Sequence, residues 1–123
     1  MLQETLLDIQ IYLNQLNKKE ILVTTKKIDE ILDYFSNFKR GSILFPTKFM
    51  SALSLDVETS YSILKKLQSE GILYSLFEIH CPGCNITYNT YYSLLDIPTE
   101  IYCDECEEYK KPYLKVKYEV MRD

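Results

Sequence analysis

The stretch Asp56-Val57-Glu58-Thr59-Ser60-Tyr61-Ser62-Ile63-Leu64-Lys65-Lys66-Leu67-Gln68-Ser69-Glu70-Gly71-Ile72-Leu73 decides the fold. Asp56 is a capping residue, and helical spacing of Val57, Tyr61, Leu64 and Leu67 predicts an inward face. Glu70-Gly71 closes that helix, with Gly71 expected in the left-handed conformation just past its end. The chain then turns directly to strand from Ile72 to His80 and runs into Cys81.

Upstream, Ile28, Ile31, Leu32, Phe35 and Phe38 mark one face of a helix expected to stop at Gly41. Thr24 and Thr25 suit the capping of its start. Ile43-Leu44-Phe45 reads as a short strand ended by Pro46, and Thr47 to Leu53 as a short helix with Phe49, Met50 and Leu53 inward. Residues 2–17 read as a further amphipathic helix. Its apolar face is Leu2, Leu6, Ile9, Leu13 and Leu16, widened by Leu7 and Ile11. That face suits either packing on its own domain or an interface with a partner or a second copy.

Downstream lie four cysteines in two pairs, Cys81-Pro82-Gly83-Cys84 and Cys103-Asp104-Glu105-Cys106, with eighteen residues between the pairs. Two residues between thiolates let one tight turn aim both sulfurs at one ion, and a second such turn completes a tetrahedron. Gly83 is expected to supply backbone freedom and Pro82 to pre-set φ. With four protein ligands no position stays open for water, so the spacing indicates one structural Zn2+ rather than a catalytic metal. Two disulfides or a redox dithiol are the competing readings; the first twenty residues lack the apolar core of a signal peptide, and reduced thiolates fit the cytoplasm. His80, the single histidine, is expected to be a strand-end side chain beside the site rather than a ligand.

Inside this segment Ile86 to Ser93 reads as a short strand, and Leu94-Leu95-Asp96-Ile97-Pro98 as a loop with an apolar patch. Ile101-Tyr102 leads into the second cysteine pair. Tyr113 to Val120 alternates as a strand, so two strands bracket the cysteines. The domain reading is 1–25 for the N-terminal helix and connector, 26–80 for a helical unit with its first strand, 81–112 for the zinc segment, and 113–123 for the returning strand. The class is α+β.

The run Phe45-Pro46-Thr47-Lys48-Phe49-Met50-Ser51-Ala52-Leu53-Ser54-Leu55-Asp56 and its continuation to Leu73 resemble the helix-turn-helix core of the winged-helix superfamily. Ile63-Leu64-Lys65-Lys66-Leu67 with Glu70-Gly71-Ile72-Leu73 is similar to its third helix and first wing strand. The resemblance covers roughly residues 26–80. It implies a winged helix-turn-helix with a four-cysteine zinc ribbon carried between its wing strands. In architecture and cysteine spacing, that combination is similar to the transcription initiation factor E alpha family.

Composition narrows function. The chain has 123 residues, formal net charge −4 and a pI near 5.0, whereas phosphate binders usually show a basic footprint. No window approaches eighteen uninterrupted apolar residues, so no membrane span is expected. Eleven tyrosines, eight of them from Tyr74 onward, suit either packing of a thin β-layer or base stacking. No Gly-rich phosphate loop or nucleophile–base pair occurs, and neither an enzyme nor a small-molecule substrate is expected.

Two readings remain. In one, the chain is a non-catalytic adaptor in a multiprotein complex, docking through the Leu2–Leu16 face and the ribbon. In the other, it is a DNA-binding regulator using Thr59, Ser62, Lys65 and Lys66 with the stripe Lys110, Lys111, Lys115 and Lys117. Asp56 and Glu58 at the N-terminal end of the reading helix oppose phosphate and favour the adaptor.

Overall fold

The computed structural model describes residues 1–17 and 23–123. Lys18-Lys19 and the apolar pair Ile21-Leu22 lie outside them. The element order is α1 (Gln3–Asn17), α2 (Thr25–Ser36), β1 (Ile43–Leu44), α3 (Pro46–Leu53), α4 (Val57–Ser69), β2 (Leu73–His80), β3 (Thr87–Tyr91), β4 (Ile101–Cys103), β5 (Glu108–Lys110) and β6 (Tyr113–Val120). The class is therefore mixed α+β. Four strands form one sheet in the order β1-β6-β2-β3, and β4 and β5 form a separate antiparallel pair. No described helix is long and apolar enough to cross a membrane.

The chain divides into two compact units, one of Met1–Tyr74 with Tyr118–Asp123 and one of Ser75–Lys117. Strands β2 and β6 each contribute residues to both.

The first unit is helical, and its helix ends are chemically legible. Thr24 caps α2 by accepting from the Lys27 N–H at 3.1 Å, and Asp56 caps α4 by accepting from Thr59 at 2.7 Å. At the other end of α4, Ile72 N–H donates to Leu67 O at 2.9 Å and Gly71 N–H to Gln68 O at 3.1 Å. Gly71, at φ +78°, supplies the left-handed residue this double closure requires. Pro46 opens α3 at its first position, where a missing N–H costs nothing.

The core of this unit contains Ile9, Leu13 and Leu16 of α1, Ile28, Ile31 and Phe35 of α2, and Phe49 and Leu53 of α3. From α4 come Ile63, Leu64 and Leu67. Phe35 meets Phe49 at 6.0 Å between ring centroids with the rings tilted, and Phe38 edge-on at 5.6 Å. The helix α1 is tied down further by Arg122–Asp8 at 2.9 Å and by Thr5 Oγ1 donating to Asp123 O at 2.6 Å. The β1–β6 pairing, Ile43↔Glu119 and Leu44↔Tyr118, belongs to the same unit.

Three expectations need correction. Ile9, Leu13 and Leu16 are core side chains, so the α1 face built on them is internal and not free to dock a partner or a second copy. Leu6 is half-buried, and Leu2 alone of that set is exposed. The inward face of α4 is Ser60, Ile63, Leu64 and Leu67, whereas Val57 and Tyr61 are exposed. Leu64 and Leu67 stay inward, and the buried Ser60 and Ile63 rotate the face only by a fraction of a turn. The helix α2 ends at Ser36 rather than near Gly41. There Ser36 Oγ donates back to Asp33 O at 2.5 Å, the local side-chain competition that ends helices. Gly41, at φ +92°, instead serves the turn into β1, donating to Val120 O at 2.8 Å.

Candidate metal centre

The second unit, Ser75–Lys117, carries all four cysteines. Strand β2 delivers Cys81 directly after His80, and the first knuckle folds back on itself: Asn85 N–H donates to Cys81 O and Cys81 N–H to Ile86 O, both at 2.9 Å. The reversal is completed by Asn85 in the left-handed region, at φ +64°. Strands β4 and β5 frame the second knuckle, with Ile101↔Lys110, Tyr102↔Tyr109 and Cys103↔Glu108 in register. Glu107, at φ +53°, closes that turn.

These two turns bring the four sulfurs within 4.8 Å of one another. Cys81 and Cys106 lie 3.8 Å apart, and Cys84 and Cys103 3.4 Å apart. A tetrahedral ion with metal–sulfur bonds of about 2.3 Å would have sulfur–sulfur edges of about 3.8 Å, so the cluster has the size of a tetrathiolate cage. The thiols are free, and both of these contacts cross between the two knuckles. The donor set, all sulfur and four in number, is compatible with a single structural zinc.

Backbone and side-chain donors converge on the sulfurs. The Cys84 N–H, helped by that of Gly83, draws the Cys81 thiol below its ordinary range against the effect of burial. The Tyr88 hydroxyl donates to Cys103 and, with the Cys106 N–H, lowers that thiol to about 6 despite burial. Cys106 is pushed up to about 12 by burial and by the adjoining sulfurs, Cys103 first. At Cys84 the Ile86 N–H pulls downward, but burial and the Cys103 and Cys81 sulfurs outweigh it and leave the thiol raised. Tyr88 is itself held in its protonated form by the bond to Cys103. Thus Cys81 and Cys103 are drawn toward the thiolate, while Cys84 and Cys106 are pushed away from it in the absence of a cation.

Gly83 is needed for space rather than for the backbone freedom expected of it. A Cβ there would overlap the Lys110 ammonium and stand 3.3 Å from the Cys106 sulfur. Lys110 therefore reaches from β5 across the first knuckle, with Glu108 Oε1 3.1 Å from its nitrogen. The Glu108 carboxylate, then the Cys106 and Cys81 sulfurs, stabilise its charge.

His80 is buried beside the cage but not part of it. Its Nδ1 lies 3.1 Å from Thr87 Oγ1, and its Nε2 2.7 Å from Glu78 Oε1 without hydrogen-bond alignment. Lys117 donates to the other Glu78 oxygen at 2.7 Å, and that bond is the main reason the Glu78 carboxyl sits below its usual range. Tyr88 and Thr87 carried no signal in the linear pattern, because they come to the site on β3, paired with β2, and the Glu78–Lys117 bridge joins β2 to β6.

The candidate nucleic-acid residues divide between the units. Thr59, Ser62, Lys65 and Lys66 lie on α4, where Lys66 is held by Glu70 at 3.1 Å and stands 5.9 Å above the Tyr12 ring. In the other unit Lys110 and Lys117 are taken up by Glu108 and Glu78, while Lys111 and Lys115 are exposed. Of the eight, only Lys65, Lys111 and Lys115 present ammonium groups with no ion pair among the described residues. The first turn of α4 carries Glu58, next to the Asp56 cap.

In comparison with known proteins, no protein-family model, no curated protein and no solved structure matches this chain.

Proposed function

We propose that the chain is a non-catalytic docking subunit of a multiprotein complex. On this reading it is a winged helix whose wing carries a structural zinc ribbon. The observation that supports it most is the tetrathiolate cage: four protein sulfurs within 4.8 Å leave a tetrahedral ion no open position for a water or substrate. A helix, a short strand, two further helices and then β2 and β6 side by side in the sheet are consistent with a winged-helix scaffold. Docking is favoured over DNA reading by charge. Asp56 and Glu58 mark the N-terminal end of α4, and Lys66, Lys110 and Lys117 are occupied by carboxylates. Net charge is −4, and phosphate recognition draws its affinity from uncommitted cations. With the Ile9–Leu16 part of α1 in the core, docking falls to the surface of the Ser75–Lys117 unit.

The test is direct. The zinc-loaded chain is titrated against a labelled DNA duplex at low and moderate salt, and is captured from its own cells with and without nuclease. The docking reading expects negligible duplex binding and stoichiometric protein partners that survive nuclease. Steeply salt-dependent duplex binding, abolished by Lys65→Glu with Lys66→Glu, overturns it in favour of a DNA-binding regulator.

A further inference from the structure

The hairpin β4–β5 presents two faces of different character. Cys103 and Lys110 lie on the metal side, the first buried and the second drawn over Gly83. Strand alternation then places Tyr102 and Tyr109, directly paired across the hairpin, on the opposite side. Their rings meet at 5.1 Å between centroids with planes 64° apart. Yet Tyr102 is 47% exposed and Tyr109 71% exposed, so burial does not account for two large rings held together here.

The surroundings of this pair are anionic. Glu100, Asp104, Glu105 and Glu107 are exposed and, among the described residues, have no ion pair. Glu108 is neutralised by Lys110, and Lys111, next in sequence, has no ion pair among the described residues. Four thiolates around a divalent ion would add a net charge of about −2 behind the hairpin. Tyrosine faces are electron-rich, and a surrounding negative potential reinforces their attraction for cations while repelling phosphate. A guanidinium suits both features, because it stacks flat on an aromatic face and turns its edge donors to carboxylates.

We propose that the Tyr102–Tyr109 face docks an arginine- or lysine-bearing segment of a partner protein, with the cation over the paired rings and the acidic side chains at the rim. This rests on the docking reading and names the partner's chemistry for it.

The experiment uses the full-length, zinc-loaded chain with isotope-labelled tyrosine, followed by NMR. Its probes are a capped arginine–glycine–serine peptide, its glutamate counterpart and an oligothymidylate. The arginine peptide is expected to shift the Tyr102 and Tyr109 resonances saturably, and the glutamate peptide to leave them in place. Tyr102→Ala with Tyr109→Ala should hold its zinc yet lose roughly tenfold in affinity for the arginine peptide. Because that variant keeps every charge, equal binding by it would reduce the effect to general electrostatics and overturn the proposal. Asp104→Asn with Glu105→Gln should weaken binding and flatten its salt dependence; undiminished affinity there counts against the rim. Shifts produced by the oligothymidylate instead would replace the basic partner with single-stranded nucleic acid. If a nuclease-resistant partner is captured equally well by the tyrosine variant, the docking reading stands and this inference fails. If no protein partner exists and duplex binding does, the docking reading itself fails.

Discussion

Replacing Cys103 by serine removes a buried sulfur of the cage, the one that receives both the Tyr88 hydroxyl and the Cys106 N–H. The Ser75–Lys117 unit has little else to hold it. Apart from Cys81 and Cys103, its buried apolar side chains are Leu76 and Ile79. Fully burying two such side chains contributes about 3–6 kcal/mol. Ordering the five residues of β3 alone costs about 5–10 kcal/mol in backbone entropy. The apolar core therefore cannot order this segment unaided. Structural zinc supplies roughly 10–16 kcal/mol of apparent binding free energy in small zinc domains, several times what those two side chains contribute.

The expected outcome for Cys103→Ser, or for the native chain stripped by a strong chelator, is loss of stoichiometric zinc and collapse of amide dispersion between residues 75 and 117. The four helices all belong to the other unit, so the far-ultraviolet helical signal should persist. Six of the eleven tyrosines lie within residues 75–117, so near-ultraviolet dichroism should fall sharply. Full zinc retention by Cys103→Ser would refute the ligand set. A metal-free native chain with its 75–117 spectrum intact would refute the argument that metal, not packing, orders this unit.

Leu13 is fully buried in α1, so Leu13→Ala should cost about 2–5 kcal/mol, a fall in Tm of roughly 10–20 °C. Leu7→Ala, at a half-exposed position, should stay within about 0.5 kcal/mol. Calorimetry with light scattering checks both, and a change of oligomeric mass without loss of stability would mean that Leu13 is an interface residue after all. Gly83→Ala should fold, because the flexible end of Lys110 can yield, but the Cys106 sulfur must give slightly too and zinc affinity should weaken by about tenfold. Combined with Lys110→Met it should weaken no further, and additive losses in a chelator competition would sever the two effects. Metal loading requires thiolates, and Cys106 at about 12 and the raised Cys84 are protonated in the metal-free neutral protein. Zinc binding should therefore expel protons, strengthen from about pH 6 to about pH 8 and fail on acidification. Chelator competition across that range with proton-release titration checks it, and a flat profile would contradict the assignment.

Much of this protein was legible locally. Thr24, Asp56 and Gly71 mark helix ends by chemistry that acts over three or four residues, and all three act where the sequence placed them. The strands β2 and β6 follow from apolar content and alternation, and the cysteine spacing alone indicates a common cage. Periodicity could not say what covers a face. The α1 pattern read equally as core or interface until α2 and α4 were seen against it, and Ser60 hid the buried face of α4 because hydropathy does not credit a small buried hydroxyl. The β4–β5 hairpin escaped notice since each strand is three residues long, too short for alternation to register.

What the sequence determined by itself, then, is whatever depends on neighbours along the chain: caps, turns, strand alternation and the paired thiols of each knuckle. The tertiary structure alone decided what depends on approach between distant segments. It bound Lys117 to Glu78, and drew Tyr88 to Cys103 and Lys110 over Gly83. It also left Tyr102 and Tyr109 paired in solvent. Electrostatic and steric partners are fixed by distance in space, which the order of residues does not encode until the chain has folded.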